Sequence, residues 1–235
     1  MCWSFGASAI IAILGLVISL YLAFKKRSPL LWIPIGYFSL MEIIQAVSYL
    51  YLNNCNSPAN QLLTFLSYIH IVFQPFFVNM ITMYFIPKKA RDKIYGYVYA
   101  LCFIFAVLML IKLYPFEWAS SCIQGVEPMC GINLCSVSGN WHLAWDIPLN
   151  GLSMGWVYGV AVFILPLIYG SWRVVLYLLL SGPILVYFLT NNINERPAVW
   201  CLFSIALLTV MFIKPIMKWM RIKKWYFWNY PFNGR

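Results

Sequence analysis

The chain has 235 residues, of which 63% are hydrophobic and only 9% are charged, and its mean hydropathy is +0.79. A soluble domain carries roughly 25% charged residues on its water-facing surface, so this composition excludes a soluble globular protein. The net charge of +10 comes from basic residues beside apolar runs. That pattern is typical of membrane topology signals, and we expect no nucleic-acid partner.

Continuous apolar runs predict an all-α, polytopic membrane protein that forms a single domain over residues 1–235. A helix needs about 20 mostly apolar residues to cross a bilayer. The first run has its basic residues behind it, at 25–27, which is the reverse of a cleavable signal peptide and predicts a retained helix. The segments predicted to span the membrane are 7–24, 30–52, 61–86, 94–114, 147–170, 173–190 and 198–217.

Basic residues divide the predicted connections into two sides. Of the 16 lysines and arginines, all but Lys112 and Arg196 fall on one side, which the positive-inside rule makes cytoplasmic. We therefore predict a seven-transmembrane-helix bundle in the plasma membrane or an endomembrane, with the N-terminus outside and the C-terminus cytoplasmic. The basic, aromatic tail 218–235 is expected to contact anionic headgroups of the lipid bilayer.

Most of the cysteines fall on the predicted outer side, where the segment 115–146 is the longest connection. An oxidising exterior favours disulfide bonds. We predict bonds among Cys55, Cys122, Cys130 and Cys135, with the pairing left open. Cys2 is a fifth outer cysteine, so at least one thiol stays free or pairs elsewhere.

Helices two and three carry polar residues at positions predicted to lie near the bilayer midplane. Glu42 and His70 are each about 15 Å from a predicted helix end, on antiparallel neighbours, so their side chains are expected to meet. Gln45 lies near Glu42, and Gln74 and Asn79 follow His70. Polar residues are costly in a membrane and point to a function, here a ligand-binding or proton-transfer pocket. The alternative is an interhelical hydrogen-bonded clasp.

A second polar cluster lies where the outer segment meets helix five, in the phrase WHLAWDIPLN. His142 and Asp146 have the i, i+4 spacing that shares one face if helix five begins this early. They are interpreted as a ligand or acid–base pair at the outer mouth of the pocket. The alternative is an aromatic anchor at the interface with a surface ion pair.

Two functions fit this set of residues, and no catalytic residue is assigned. The first is a small transporter, channel or ligand-binding protein that holds a small polar or lipid ligand in the midplane pocket. The second is a metal-dependent intramembrane hydrolase in which a zinc-bound water cleaves a lipid ester or amide. Its divalent metal would be held by Glu42, His70, His142 and Asp146.

The second hypothesis draws on a resemblance in topology and ligand types to the seven-helix ceramidase-like hydrolases. Three histidines are usual in those enzymes, whereas this chain has two. Separately, the opening MCWS and the phrases IHIVFQPFF and GNWHLAWDIPL resemble an uncharacterised multi-pass membrane family of microbes and large viruses. That resemblance implies a multi-pass membrane protein and brings no known activity with it.

Overall fold

The computed structural model describes residues 3–152, 155–210 and 213–226, and it is 65% helical. A two-stranded antiparallel sheet, β1 (Cys135–Ser138) and β2 (Leu143–Asp146), lies between the fourth and fifth helices. The helices are α1 (Phe5–Phe24), α2 (Pro29–Ser48), α3 (Pro58–Tyr84), α4 (Lys88–Ile111), α5 (Gly155–Ile168), α6 (Trp172–Leu189), α7 (Arg196–Val210) and α8 (Lys214–Met220).

Several of these helices are membrane-spanning candidates. In the described part of the chain, five are long and apolar enough to cross a bilayer, namely α1, α2, α3, α4 and α6. Helix α5 is apolar but shorter, and α7 has 15 residues. The long apolar helices indicate a membrane protein, as the composition predicted.

Helix α1 shows how the sequence divides between lipid and protein. Its large apolar residues remain exposed, which suits a lipid-facing surface. Its buried positions are small residues spaced three or four apart, and such residues let two membrane helices approach closely. The exposed set includes Ile10, Ile13, Leu14, Val17 and Leu20, and the buried set is Ser8, Ala12, Gly15 and Ser19.

Helices α5 and α6 each contain a π-helical segment. These are Val160–Ile164 in α5 and Leu180–Ile184 in α6. Pro166 follows the first segment and Pro183 lies inside the second. Proline lacks the backbone N–H and clashes with the carbonyl four residues earlier, so the hydrogen-bond ladder is interrupted there. Such segments are frequent at functional sites.

The outer hairpin, formed by β1 and β2, is clamped between two polar connections. The side-chain amides of Asn53 and Asn60, on the α2–α3 side, bond to the backbone of β1. On the α6–α7 side, the carbonyl of Asn194 accepts a hydrogen bond from the N–H of Trp145 in β2 at 3.2 Å. The hairpin therefore ties two distant parts of the chain together.

The turn of the outer hairpin is held by the buried carboxylate of Glu195. This carboxylate accepts hydrogen bonds from the backbone N–H groups of Asn140, Trp141 and His142 and from the hydroxyl of Thr190. Gly139 allows the approach, because a Cβ at this position would lie 2.6 Å from the carboxyl carbon of Glu195. One buried acid thus satisfies the backbone donors of a partly buried turn.

Two disulfide bonds secure the outer segment, Cys55–Cys135 and Cys122–Cys130. The four cysteines for which the sequence predicted disulfides thus lie in two pairs at disulfide distance. Cys102 and Cys201 are buried and belong to neither of these disulfides. Cys2 and tail residues 227–235 lie outside the described residues.

Helix five does not begin at residue 147, where the sequence analysis placed its start. Residues Leu143–Asp146 form β2, and the helix begins at Gly155. Leu143, Ala144 and Trp145 are all fully buried, so β2 is covered on both faces. A short, continuous apolar run has the same appearance in a buried strand and in a helix, and periodicity alone cannot separate them.

Candidate functional site

Polar side chains form a series through the core, and its outermost member is His142. The ring Nε2 of His142 is 2.7 Å from Oε1 of Gln45, which can only accept, so Nε2 carries the proton. The hydroxyl of Tyr49 then donates to Nδ1 of the same ring. Gln45 continues the series of hydrogen bonds through its amide nitrogen, which is 3.5 Å from the carbonyl oxygen of Ala198. These hydrogen bonds join the outer hairpin to α2 and α7.

Protonation of His142 is expected to destabilise the fold below neutral pH. Burial lowers the pKa of His142 to about 3, against 6.5 for the exposed side chain. Between pH 3 and pH 6.5 the imidazole is therefore protonated in the unfolded protein and neutral in the folded one. The stability that the neutral His142 contributes is fully present above about pH 6.5 and is lost progressively as the pH falls toward 3. The expected slope is about 1 kcal/mol of unfolding free energy per pH unit.

The measurement is the free energy of unfolding in detergent at pH 7.5, 6.5, 5.5 and 4.5. His142→Gln is the matched variant, because glutamine keeps a donor and an acceptor but does not titrate. The variant should lose less stability per pH unit than the wild type. Parallel curves for the two proteins would contradict this account of His142.

Glu42 lies one helical turn deeper than Gln45 and is fully buried. The hydroxyl of Ser8 on α1 interacts with the Glu42 carboxyl group, but neither side chain makes a hydrogen bond of normal geometry in the described part of the chain. Buried carboxyl groups that make no hydrogen bond of normal geometry are rare in native proteins and call for an explanation. Glu42 therefore stays a candidate for ligand binding or proton transfer.

In the described residues no hydrogen bond joins His70 to Glu42, and the partner of His70 on α2 is Tyr37. Their rings stack with centroids 4.0 Å apart, and Nε2 of His70 lies 2.8 Å from the carbonyl oxygen of Tyr37. The difference comes from the helix ends, since α2 ends at Ser48, not residue 52, and α3 begins at Pro58, not residue 61. Counted from those ends, Glu42 is about 9 Å deep and His70 about 18 Å deep.

Gln74 joins three helices below this level. Its Oε1 accepts a hydrogen bond from the Tyr158 hydroxyl at 2.5 Å, and its amide nitrogen donates to Sγ of Cys201 at 3.2 Å. The same nitrogen is 3.5 Å from Nδ1 of His70. His70 and Gln74 thus form one cluster with Tyr158, as their spacing on α3 suggested. Gln45 does not belong to this cluster, because it is hydrogen-bonded to His142.

Asn79 forms a separate junction between α3 and α5. Its amide nitrogen donates to the carbonyls of Pro75 and Ala161, at 2.8 and 2.9 Å. Its oxygen accepts a hydrogen bond from the Tyr169 hydroxyl at 2.9 Å. All of these partners belong to the protein, so Asn79 holds the π segment of α5 against α3.

The structure does not bring His142 and Asp146 together. The intervening residues are extended, which spaces the two by roughly 13 Å, and Asp146 instead accepts from the amide of Asn194 at 2.8 Å. Glu42 and His70 also have separate surroundings. Among the residues that the structure describes, no group of three His, Cys, Asp or Glu side chains could hold a metal ion.

The interhelical cavity is a space of about 430 Å³ enclosed by α3, α4, α5, α6 and α7. Gln74 and Tyr158 provide polar groups in its wall. At its outer end lie Arg196 and an ion pair in which Nζ of Lys112 is 2.6 Å from Oε2 of Glu127. The apolar lining includes Ile71, Met109, Leu149, Phe163, Val186 and Trp200.

One wall of the interhelical cavity reaches the lipid-facing surface. Gly155 on α5 and Tyr187 on α6 line the cavity and are also exposed. Among the described residues, a Cβ at Gly155 or at Gly159 would meet no atom within 4 Å, so glycine leaves open space there. Both π segments contribute to this side, through Phe163 and Pro183. The cavity therefore opens onto this surface between α5 and α6.

Sequence reasoning missed Tyr158, Arg196 and Lys112 as residues of one site. Tyr158 gave no signal, because an aromatic residue in an apolar helix usually packs against lipid or protein. Lys112 and Arg196 did give one, as the two basic residues on the predicted outer side. Their meeting in one cavity depends on the packing of α4 against α5 and α7, which a sequence does not display.

Comparison with known proteins yields a single family assignment. The model of DUF5765, a family of unknown function, matches residues 6–221. No curated protein and no solved structure matches the chain. The geometry of the site therefore has to carry any functional conclusion.

Proposed function

The chain belongs to DUF5765, a family of unknown function, and from the geometry of its interhelical cavity we propose that it is a membrane protein that binds a single-chain, lipid-like ligand. The observation that carries the proposal is a mainly apolar cavity of about 430 Å³ with a lateral opening to lipid. Its volume falls within the range of roughly 300–1,000 Å³ that is typical of small-molecule sites. A cavity of that size has room for a ligand with one hydrocarbon chain.

The proposal includes a bundle of seven helices with the N-terminus outside. Support comes from the charge distribution and from the positions of α5 and α7 among the other helices. Both helices line the interhelical cavity and so pack among helices that are long and apolar enough to cross a bilayer.

Ligand binding is favoured over the other functions considered. A zinc hydrolase required Glu42, His70, His142 and Asp146 to act together, and these residues have separate partners. A purely structural clasp accounts for His142 and Asn79. It does not account for the open space beside Gln74 and Tyr158.

A side chain placed in the opening is expected to block binding. Gly159 has helical backbone angles, φ −61° and ψ −41°, and open space at its Cβ position, so Gly159→Leu should fold and fill the entrance. We expect at least about a tenfold loss of affinity, because a ligand that has lost part of its apolar burial loses more than about 1.4 kcal/mol. The matched control is Gly96→Leu on α4, a helical glycine with open space at its Cβ position that is not part of the cavity wall.

The measurement is saturation binding of radiolabelled 1-palmitoylglycerol and radiolabelled palmitate to the protein purified in a nonionic detergent. At least one of the two should bind saturably to the wild type and to Gly96→Leu, and bind weakly to Gly159→Leu. Absence of saturable binding for both ligands, or equal binding to both variants, would refute the proposed function.

A further inference from the structure

The outer end of the interhelical cavity carries an uncompensated positive charge. Lys112 is buried, and its ammonium group is paired with the carboxylate of Glu127, so that pair contributes no net charge. Arg196 lines the same end. In the described part of the chain, the guanidinium of Arg196 has no carboxylate within 4.0 Å. The net charge facing the cavity is therefore that of one cation.

The neighbouring acid does not neutralise Arg196. Glu195 precedes it in the chain, but the carboxylate of Glu195 accepts hydrogen bonds from the hairpin turn and from Thr190. In the described part of the chain, Arg196 donates a hydrogen bond from Nε to the carbonyl of Thr190, at 3.3 Å, and makes a cation–π contact with Tyr187, 5.0 Å from the ring centre. Among these residues, the two contacts orient the guanidinium and leave its terminal nitrogens available to bind an anion.

We infer that the ligand of this cavity is a single-chain amphiphile whose head carries one negative charge, bound by Arg196 beside the Lys112–Glu127 pair. The inference rests on the proposed function and specifies its ligand. Arginine suits this role because its planar guanidinium pairs with carboxylate or phosphate oxygens through two parallel hydrogen bonds. The hydrocarbon chain then lies along the apolar wall toward Phe163 and Trp200.

The location of the charge fits an amphiphile that comes from the lipid. Arg196 begins α7 and Lys112 follows α4, so both lie at helix ends, where headgroups are found, while Gln74 and Phe163 lie deeper along α3 and α5. A free anion would have no use for the apolar part of the cavity. A neutral lipid would leave the guanidinium without a counter-charge in a partly buried site.

The test compares ligands with the same 16-carbon tail and different heads. Palmitate should bind the wild type about tenfold to a hundredfold more tightly than uncharged 1-palmitoylglycerol, as expected for one charge-assisted contact. In Arg196→Gln the preference should disappear through weaker palmitate binding, with 1-palmitoylglycerol unchanged. Retained binding of 1-palmitoylglycerol also shows that the variant is folded. Arg27→Gln, an exposed arginine after α1, is the control and should keep the preference.

The remaining outcomes separate this inference from the proposed function. Equal affinity of the wild type for palmitate and 1-palmitoylglycerol, with both blocked by Gly159→Leu, would overturn the anionic head and leave the lipid-like ligand standing. Competition by acetate at the concentrations at which palmitate binds would also overturn it, because the site would then be one for a free anion. No saturable binding of either ligand would overturn both proposals.

Discussion

Glu195→Ala is expected to lower the free energy of unfolding by about 4 kcal/mol or more. The carboxylate is fully buried, and its two oxygens accept hydrogen bonds from three backbone N–H groups and one hydroxyl. Removing it leaves the buried donors, the N–H of His142 and the hydroxyl of Thr190, without an acceptor and removes the acceptor of two partly buried N–H groups. A hydrogen bond to a charged group contributes about 1.5–3 kcal/mol net of its exchange with water.

Two variants make the Glu195 prediction specific. Glu195→Gln keeps the shape but turns one acceptor into a donor that faces other donors, so we expect a smaller loss than for alanine. Glu117→Ala, which removes an exposed acid in the outer segment 115–146, should change stability by less than about 0.5 kcal/mol. The measurements are unfolding in detergent and hydrogen exchange at the amides of residues 140–142. Unchanged exchange in Glu195→Ala would show that the carboxylate does not hold the turn.

The sequence was informative about the helices because the membrane imposes a simple rule on them. A helix must present about 20 apolar residues to cross the bilayer, and such a run is visible without any knowledge of packing. Leu143–Trp145 marks the limit of this rule. The same apolar signal arises there because the outer segment covers both faces of a strand.

The pairing of side chains was much harder to obtain from the sequence. The polar residues of α2 and α3 stood out individually, but which of them meet depends on where each helix ends. An error of a few residues at the α2–α3 connection shifts one helix along the other by about 1.5 Å per residue. That shift is enough to make Tyr37 the partner of His70 in place of the predicted Glu42.

The cavity itself depends on long-range packing. Gly155 and Gly159 matter because no atom of the described residues fills the space beside them, and a glycine in the sequence does not reveal what lies opposite. The charge of Lys112 was visible, whereas its neutralisation by Glu127 was not. The site is made from five helices and one outer connection. From the sequence, its residues can be predicted only where a residue is unusual for a membrane segment, as a charged side chain is.

Loss of the Cys55–Cys135 disulfide is expected to destabilise the protein more than loss of Cys122–Cys130. The two bonds close segments of very different length, with sequence separations of 80 and 8. In the chain-entropy account, a disulfide stabilises the fold by lowering the conformational entropy of the unfolded state. This loss of entropy grows with the logarithm of the length of the closed loop. The expected losses are about 4 kcal/mol for the long loop and about 2 kcal/mol for the short one.

The measurement compares the free energy of unfolding in detergent for two double variants, Cys55→Ser with Cys135→Ser and Cys122→Ser with Cys130→Ser. Replacing both partners avoids a free thiol. Equal losses, or a larger loss for the short loop, would contradict the prediction. Because Cys135 begins β1 and Glu195 holds the hairpin turn, both features anchor the same hairpin. Combining Glu195→Ala with loss of Cys55–Cys135 should therefore give a non-additive change, as expected for groups that share one structural unit.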